Sequence, residues 1–129
     1  MSADGKIAAA ATKPCLGLIP LSALQGVARV FAYGSRKYGG GNFLIATLRD
    51  GAGERYISAA LRHLLEMQAT NGQHTAESLG ALDSESMLPH IDHAICGLIM
   101  LRAILVKCGA LDADPTAWVQ PGYGDVKRG

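Results

Sequence analysis

The segment HIDHAICGLIMLRAIL, residues 90–105, restricts the possible folds more than any other part of the chain. From residue 94 to 106 it is apolar but for Arg102, so a helix built on it has almost no polar face. Such a helix must be covered on several sides. The run falls short of the ~20 residues that a membrane-spanning helix needs, and Arg102 breaks it. The expectation is a core helix inside a bundle, entered by two histidines, His90 and His93, spaced three apart.

The rest of the chain supports a helical reading. Hydrophobic residues make up 49% and aromatics only 5%, with 16 glycines and many alanines, a balance suited to closely packed helices rather than a β-sandwich. A length of 129 residues predicts one domain. It divides into a loose arm over 1–12, a helical core over 13–109 and an irregular tail over 110–129. Twelve basic and eleven acidic side chains leave a net charge of +1, which argues against polymeric DNA or RNA as the main ligand. The three cysteines, Cys15, Cys96 and Cys108, are widely spaced in apolar surroundings, as expected of structural thiols in a reducing compartment. The N-terminus has neither the basic start nor the bulky apolar segment of a secretory signal. A cytoplasmic protein, not attached to a membrane, is expected.

KPCLGLIP lies between two prolines and predicts an extended stretch over the core. After Pro20, Leu21, Leu24, Val27, Ala28 and Phe31 recur at helical spacing, predicting a first helix over 21–33 that Gly34 ends. A basic, glycine-rich loop, YGSRKYGGGN, follows. A second helix is predicted over about 54–70, stopped by Asn71 and Gly72, then a long polar loop. The third helix begins at a Ser86 cap, takes Pro89 in its first turn and stops near Gly109.

In the second helix, Arg55, Ala59, Arg62 and Glu66 form a stripe with His63 beside it, and Ile57, Leu61, Leu64 and Leu65 form an opposite face able to bury against neighbours. His90, His93 and Gly97 form the corresponding stripe of the third helix. A single histidine in such a place is ordinarily satisfied by backbone or carboxylate hydrogen bonds. Here His63-x-x-Glu66 and His90-x-x-His93, joined by a loop carrying Glu77, Asp83 and Glu85, make the pattern of a polar site between bundle helices. Carboxylates suit Mg²⁺ or Mn²⁺, while imidazoles can bind a borderline metal, accept a proton from water or hold a phosphate oxygen. The His-Glu-x-x-His spacing of zinc proteases is absent, and YGSRKYGGGN lacks the lysine-serine ending of a P-loop. With Arg36, Lys37, glycines and tyrosines it has the ingredients of an anion site.

KPCLGLIPLSAL, VARVFAYGSRKYGGGNF, RYISAALRHL and DSESMLPHIDHA resemble, in that order, the motif blocks of a family of phage dATP/dGTP diphosphohydrolases. That family is similar to the MazG-type all-α nucleoside triphosphate pyrophosphatases. The resemblance implies an all-α, MazG-like bundle. It also implies Mg²⁺- or Mn²⁺-dependent hydrolysis of a purine deoxynucleoside triphosphate between the α and β phosphates. The products would be a monophosphate and pyrophosphate, in phages that alter their deoxynucleotide pools. Some of these replace adenine by 2-aminoadenine, for which dGMP drawn from dGTP is the precursor. MazG-type enzymes carry Glu-x-x-Glu and Glu-x-x-Asp where this chain has His63-x-x-Glu66 and His90-x-x-His93.

On that reading Glu66, Asp83 and Glu85 hold the metal, and His63, His90 and His93 are the catalytic imidazoles, with His90 or His93 orienting or deprotonating the attacking water. Lys13, Arg36, Lys37, Arg55 and Arg62 neutralise phosphates, and Asn42 or Tyr33 contacts sugar or base. Three helices apolar on most of their circumference cannot all be covered within one small chain, so a symmetric homo-oligomer is expected. The resemblance implies a dimer of dimers. The competing reading is a non-catalytic helical oligomer that binds a nucleotide or a partner protein without turning it over.

Overall fold

The computed structural model describes residues 16–111, and Lys13, Cys15, the N-terminal arm and the tail with Trp118 lie outside the described residues. The helices all belong to the unit Leu21–Leu111. They are α1 (Leu21–Tyr38), α2 (Ala52–Leu65), the short α3 (Ala76–Leu79) and α4 (His90–Lys107), with a 3₁₀ turn at Asn42–Ile45. Among the described residues there is no strand, only two isolated bridges, Thr70 with Gln73 and Leu82 with Pro89. The all-α class expected from the sequence is the one observed. In the separate stretch before Leu21, Leu16–Leu18 coils into a 3₁₀ turn, Ile19 N–H donating to the Leu16 carbonyl, where an extended run is expected.

As the apolar run predicts, α4 is central: α1, α2 and the 3₁₀ turn all pack on it. It buries His90, Ala94, Cys96, Leu101 and Ile104. Val27 and Val30 of α1 meet Cys96 in the core, flanked by Phe31, Leu88 and Met100. Burial pushes the Cys96 thiol up to about 11, so it stays protonated and acts as a small hydrophobe. α1 and α4 come so close at Gly26 that a Cβ there would lie 2.6 Å from a carboxylate oxygen of Asp92. No described helix is long and apolar enough to cross a membrane.

Helix boundaries depart from the sequence reading for identifiable reasons. Gly34 does not stop α1, which continues to Tyr38 and ends at Gly39, whose φ of +93° suits glycine alone. Arg36 and Lys37 therefore sit in the last helical turn, not in a loop. α2 stops at Leu65 because the next turn tightens: Glu66 N–H is shared between the carbonyls of Arg62 and His63, and Met67 N–H bonds Leu64. Met67 is buried there. α4 begins at His90 because Pro89 keeps the preceding residue out of helical conformation, and the Pro89 carbonyl accepts from Asp92 and His93 N–H. Within the expected polar loop, Thr75 and Ser78 form a reciprocal capping box that starts α3.

α2 turns Ala52, Ala60 and the half-buried Tyr56, Ala59 and His63 inward, leaving Ile57, Leu61, Leu64 and Leu65 exposed. The face expected to bury itself against neighbouring helices is thus uncovered in the single chain.

Candidate active site

The start of α4 and the end of α2 meet side by side, and this junction gathers the histidines. His63 Nδ1 lies 2.8 Å from His90 Nδ1, so one ring donates to the other's lone pair. The His63 ring also stacks on His93, centroids 4.6 Å apart and planes 9° from parallel. His90 is buried, and His63 and His93 are half-buried. Burial, reinforced by the neighbouring imidazoles, lowers the His63 pKa below its ordinary value; Asp83 opposes this without cancelling it. Burial likewise lowers that of His93, against the opposing pull of Asp83.

A tight loop, residues 83–88, brings Asp83 over the histidines. Asp83 N–H donates to the Leu88 carbonyl at 2.8 Å, Met87 N–H to the Asp83 carbonyl at 2.8 Å, and His90 N–H to Ala81 at 2.9 Å. Closing the loop forces Met87 to φ +60°, a left-handed conformation that side chains other than glycine rarely take. Partial burial works against the Asp83 charge, but hydrogen bonds from Ser86 and Glu85 N–H, aided by His93, hold its carboxyl below the usual range. Asp83 is therefore ionised where it stands. His63, Asp83 and His90 each offer one ligand atom within 4.8 Å of one another, a group able to hold a metal ion.

Three further residues frame this cluster. Ser86 Oγ lies 2.7 Å from His93 Nε2 and accepts from Leu88 N–H at 3.2 Å. Glu85 Oε2 accepts from Tyr33 Oη and from Lys37 Nζ, each at 2.6 Å, across the surface between the loop and α1. The Lys37 hydrogen bond, then that of Tyr33, holds the Glu85 carboxyl below its ordinary range; the same contacts raise Tyr33 and Lys37. Tyr33 also meets the edge of His93, centroids 6.2 Å apart.

The other candidates stand apart from these groups. Glu66 is exposed at the end of α2, and neither it nor Glu85 belongs to the metal-capable group. Arg36 and Arg62 are exposed on the last turns of α1 and α2. Arg55 is held by Asp50, donating through Nη1 to its carbonyl at 2.7 Å and through Nη2 to its carboxylate at 3.2 Å. With Asn42 it lines a cleft of about 370 Å³ bounded by α1, the 3₁₀ turn, α2 and α4, into which His93 also reaches.

The sequence reading missed two features. Ser86, expected to cap a helix, instead supports His93, and Pro89 three residues later, which disfavours helical geometry at Leu88, was the signal against a start there. The cleft depends on Gly34, Ala59 and Gly97 from three separate helices, and no local pattern marks those positions as neighbours.

No curated protein and no solved structure matches the chain. Residues 3–113 match the family model described as dATP/dGTP diphosphohydrolase, N-terminal, which takes in the histidine cluster, the loop above it and the whole cleft. The chain belongs to the dATP/dGTP diphosphohydrolase family.

Proposed function

We propose that this protein hydrolyses a purine deoxynucleoside triphosphate, dGTP and also dATP, to the monophosphate and pyrophosphate. The observation that carries the reading is the convergence of His63, Asp83, His90 and His93 in one half-buried junction beside a cleft of nucleotide size. Family membership supplies the reaction class.

Two imidazoles and one carboxylate fit a divalent transition ion. Of the two ions expected, Mn²⁺ suits such a mixed nitrogen and oxygen set better than Mg²⁺, which favours oxygen ligands. His63, Asp83 and His90 would hold it. Bound there, the ion supplies Lewis acidity toward a phosphoryl oxygen and offsets triphosphate charge. Glu66 and Glu85, outside that group, remain candidates for an ion carried in on the substrate phosphates.

The chain's own residues account for the rest of the step. His93, largely neutral because burial lowers its pKa, accepts the proton of the attacking water at a ring nitrogen while Ser86 Oγ fixes the ring's orientation. The water oxygen bonds to the α-phosphorus as its bond to the bridging oxygen breaks, and pyrophosphate leaves with that electron pair. Lys37, Arg36 and Arg62 neutralise the departing charge, and Lys37 can exchange Glu85 for a phosphate oxygen without a desolvation penalty because both are exposed. Lys13 joins them as a candidate phosphate contact. Tyr33, which meets the edge of His93, would contact sugar or base.

In the cell this activity would remodel a phage's deoxynucleotide pool in the host cytoplasm, including supply of dGMP for 2-aminoadenine synthesis. The exposed leucine and isoleucine faces support a homo-oligomer, which would be a dimer of dimers. Incubating the purified protein with dGTP, dATP or dCTP and Mn²⁺ or Mg²⁺ tests the proposal. Pyrophosphate released from the purine nucleotides is the expected result; nucleotide binding without release would reduce the protein to a binding module.

A further inference from the structure

The cleft beside His93 has a construction that the hydrolytic step leaves unexplained. Its volume, about 370 Å³, falls near the lower end of the ~300–1,000 Å³ typical of small-molecule sites. Gly34 on α1 and Gly97 on α4 both border it, and a Cβ built at either position meets nothing within 4 Å. The space exists because side chains are missing from facing helices. Around it stand the rings of Tyr38, Phe43 and Tyr56, flat apolar surfaces on which a base can stack.

His93 belongs to both regions: it stacks on His63 at 4.6 Å and lines the cleft, so the cleft begins where the imidazole cluster ends. Arg55 lines it from the other end of α2, about 12 Å along the axis from His63 at the usual helical rise. That separation is about the reach of one nucleotide from phosphorus to the far edge of a purine. An arginine at that end of the cleft stands where the base of a nucleotide would lie when its phosphates lie at the histidines. Asp50 fixes its guanidinium through two of the five N–H groups, leaving three to donate elsewhere.

We propose that this cleft is the nucleoside pocket of the site and that Arg55 makes it prefer guanine over adenine. The proposal rests on the hydrolase reading above and adds the seat and identity of the base. Guanine presents two acceptors, O6 and N7, along one edge and matches a guanidinium that can only donate. Adenine places an amino group where O6 would be, so one donor faces another. Asn42, which also lines the cleft, can accept or donate and does not discriminate by itself.

The test combines Arg55→Gln and Gly97→Leu with the unaltered protein. Turnover of dGTP and dATP with Mn²⁺ is measured alongside calorimetric binding of dGMP, dAMP and inorganic triphosphate. The wild type is expected to favour guanine, and Arg55→Gln to reduce the dGTP-to-dATP ratio of kcat/KM by about ten- to a hundredfold. Gly97→Leu fills the pocket and should weaken dGMP and dAMP together while leaving inorganic triphosphate binding unmoved. Arg55 is exposed, so its replacement is decisive even where leucine at 97 disturbs folding. An unchanged base ratio in Arg55→Gln, or equal loss of inorganic triphosphate binding in Gly97→Leu, overturns the pocket while leaving hydrolysis intact. Absence of all turnover with dGMP binding still lost in Gly97→Leu overturns the hydrolase reading and keeps the pocket.

Discussion

His63 Nδ1 and His90 Nδ1 lie 2.8 Å apart although 27 residues separate them in the chain. At that distance the two lone pairs cannot face each other unshared: a proton or a cation must sit between them. In the metal-free protein one ring donates to the other. An ion using both Nδ1 atoms would require that proton to move to the donor ring's Nε2, a change of tautomer with no net proton release from the two neutral rings.

Asp83→Asn separates charge from shape in this group. The amide oxygen can still accept from Glu85 and Ser86 N–H, which preserves the loop, but the negative charge beside His63 and His90 is lost. Mn²⁺ affinity is expected to fall at least about tenfold and pyrophosphate release at least about a hundredfold, with the helical circular dichroism unchanged. Titrating Mn²⁺ by electron paramagnetic resonance reads the first effect directly. Affinity equal to wild type would remove Asp83 from the metal group.

The histidines also set how the metal-free fold responds to acid. The folded protein holds His63 and His93 below their ordinary pKa, chiefly through burial, so it prefers both rings neutral. Above the unfolded value, near 6.5, neither state takes up protons and the full stability is present. As pH falls below that value the unfolded chain protonates first, and stability declines through the lower folded values. Urea midpoints in the presence of a chelator should therefore drop between about pH 7 and pH 5. His93→Gln should flatten part of that slope, and a midpoint that rises on acidification would contradict the burial assigned to these rings.

Two glycines of α1 give a paired measurement of helix packing. Gly34→Ala adds a methyl group that meets nothing within 4 Å, so the gain is one of helix propensity, about 0.5–1 kcal/mol. Gly26→Ala has the same propensity gain but drives its Cβ to 2.6 Å from Asp92, which forces α1 away from α4 or rotates the carboxylate. Overpacking of this kind costs roughly 1–3 kcal/mol. Denaturant unfolding should rank Gly34→Ala above wild type and Gly26→Ala at or below it. Equal stability of the two variants would mean that the Asp92 carboxylate turns aside without cost and that the close contact at Gly26 does not hold the helices.

Helix content and the central place of α4 were legible in the sequence because hydrophobic periodicity and an almost wholly apolar circumference are local signals. The meeting of His63 with His90-x-x-His93 could be anticipated, since both stripes are polar entries into apolar helices. The helix ends were harder to read. Gly34 looked like a stop because glycine is a weak helix former, yet Gly39, with its positive φ, ends α1 five residues later. Ser86 looked like a cap because its residue type favours one, but Pro89 converts its segment into a turn. On α2 the apolar face is exposed in the single chain, and hydrophobicity alone does not say whether such a face meets its own chain or another.

That last point leads to the assembly. Along α2, Ile57, Leu61, Leu64 and Leu65 follow one helical face, and Leu61 and Leu65 remain 54% and 63% exposed. On α4, Ile91, Ile95, Leu98 and Ile99 repeat the spacing and are likewise exposed. Monomeric proteins rarely leave apolar stripes of this kind in water, and identical copies cover them at no cost in new sequence. Leu61→Glu combined with Ile95→Glu would place charges at the centre of both stripes, where burial without a partner is prohibitive. Light scattering should show the wild type as a multimer and the double variant as a smaller particle with its histidine cluster still able to bind Mn²⁺. A wild-type protein that stays monomeric at micromolar concentration would mean that the stripes are covered by something other than a second copy, and the dimer of dimers would have to be abandoned.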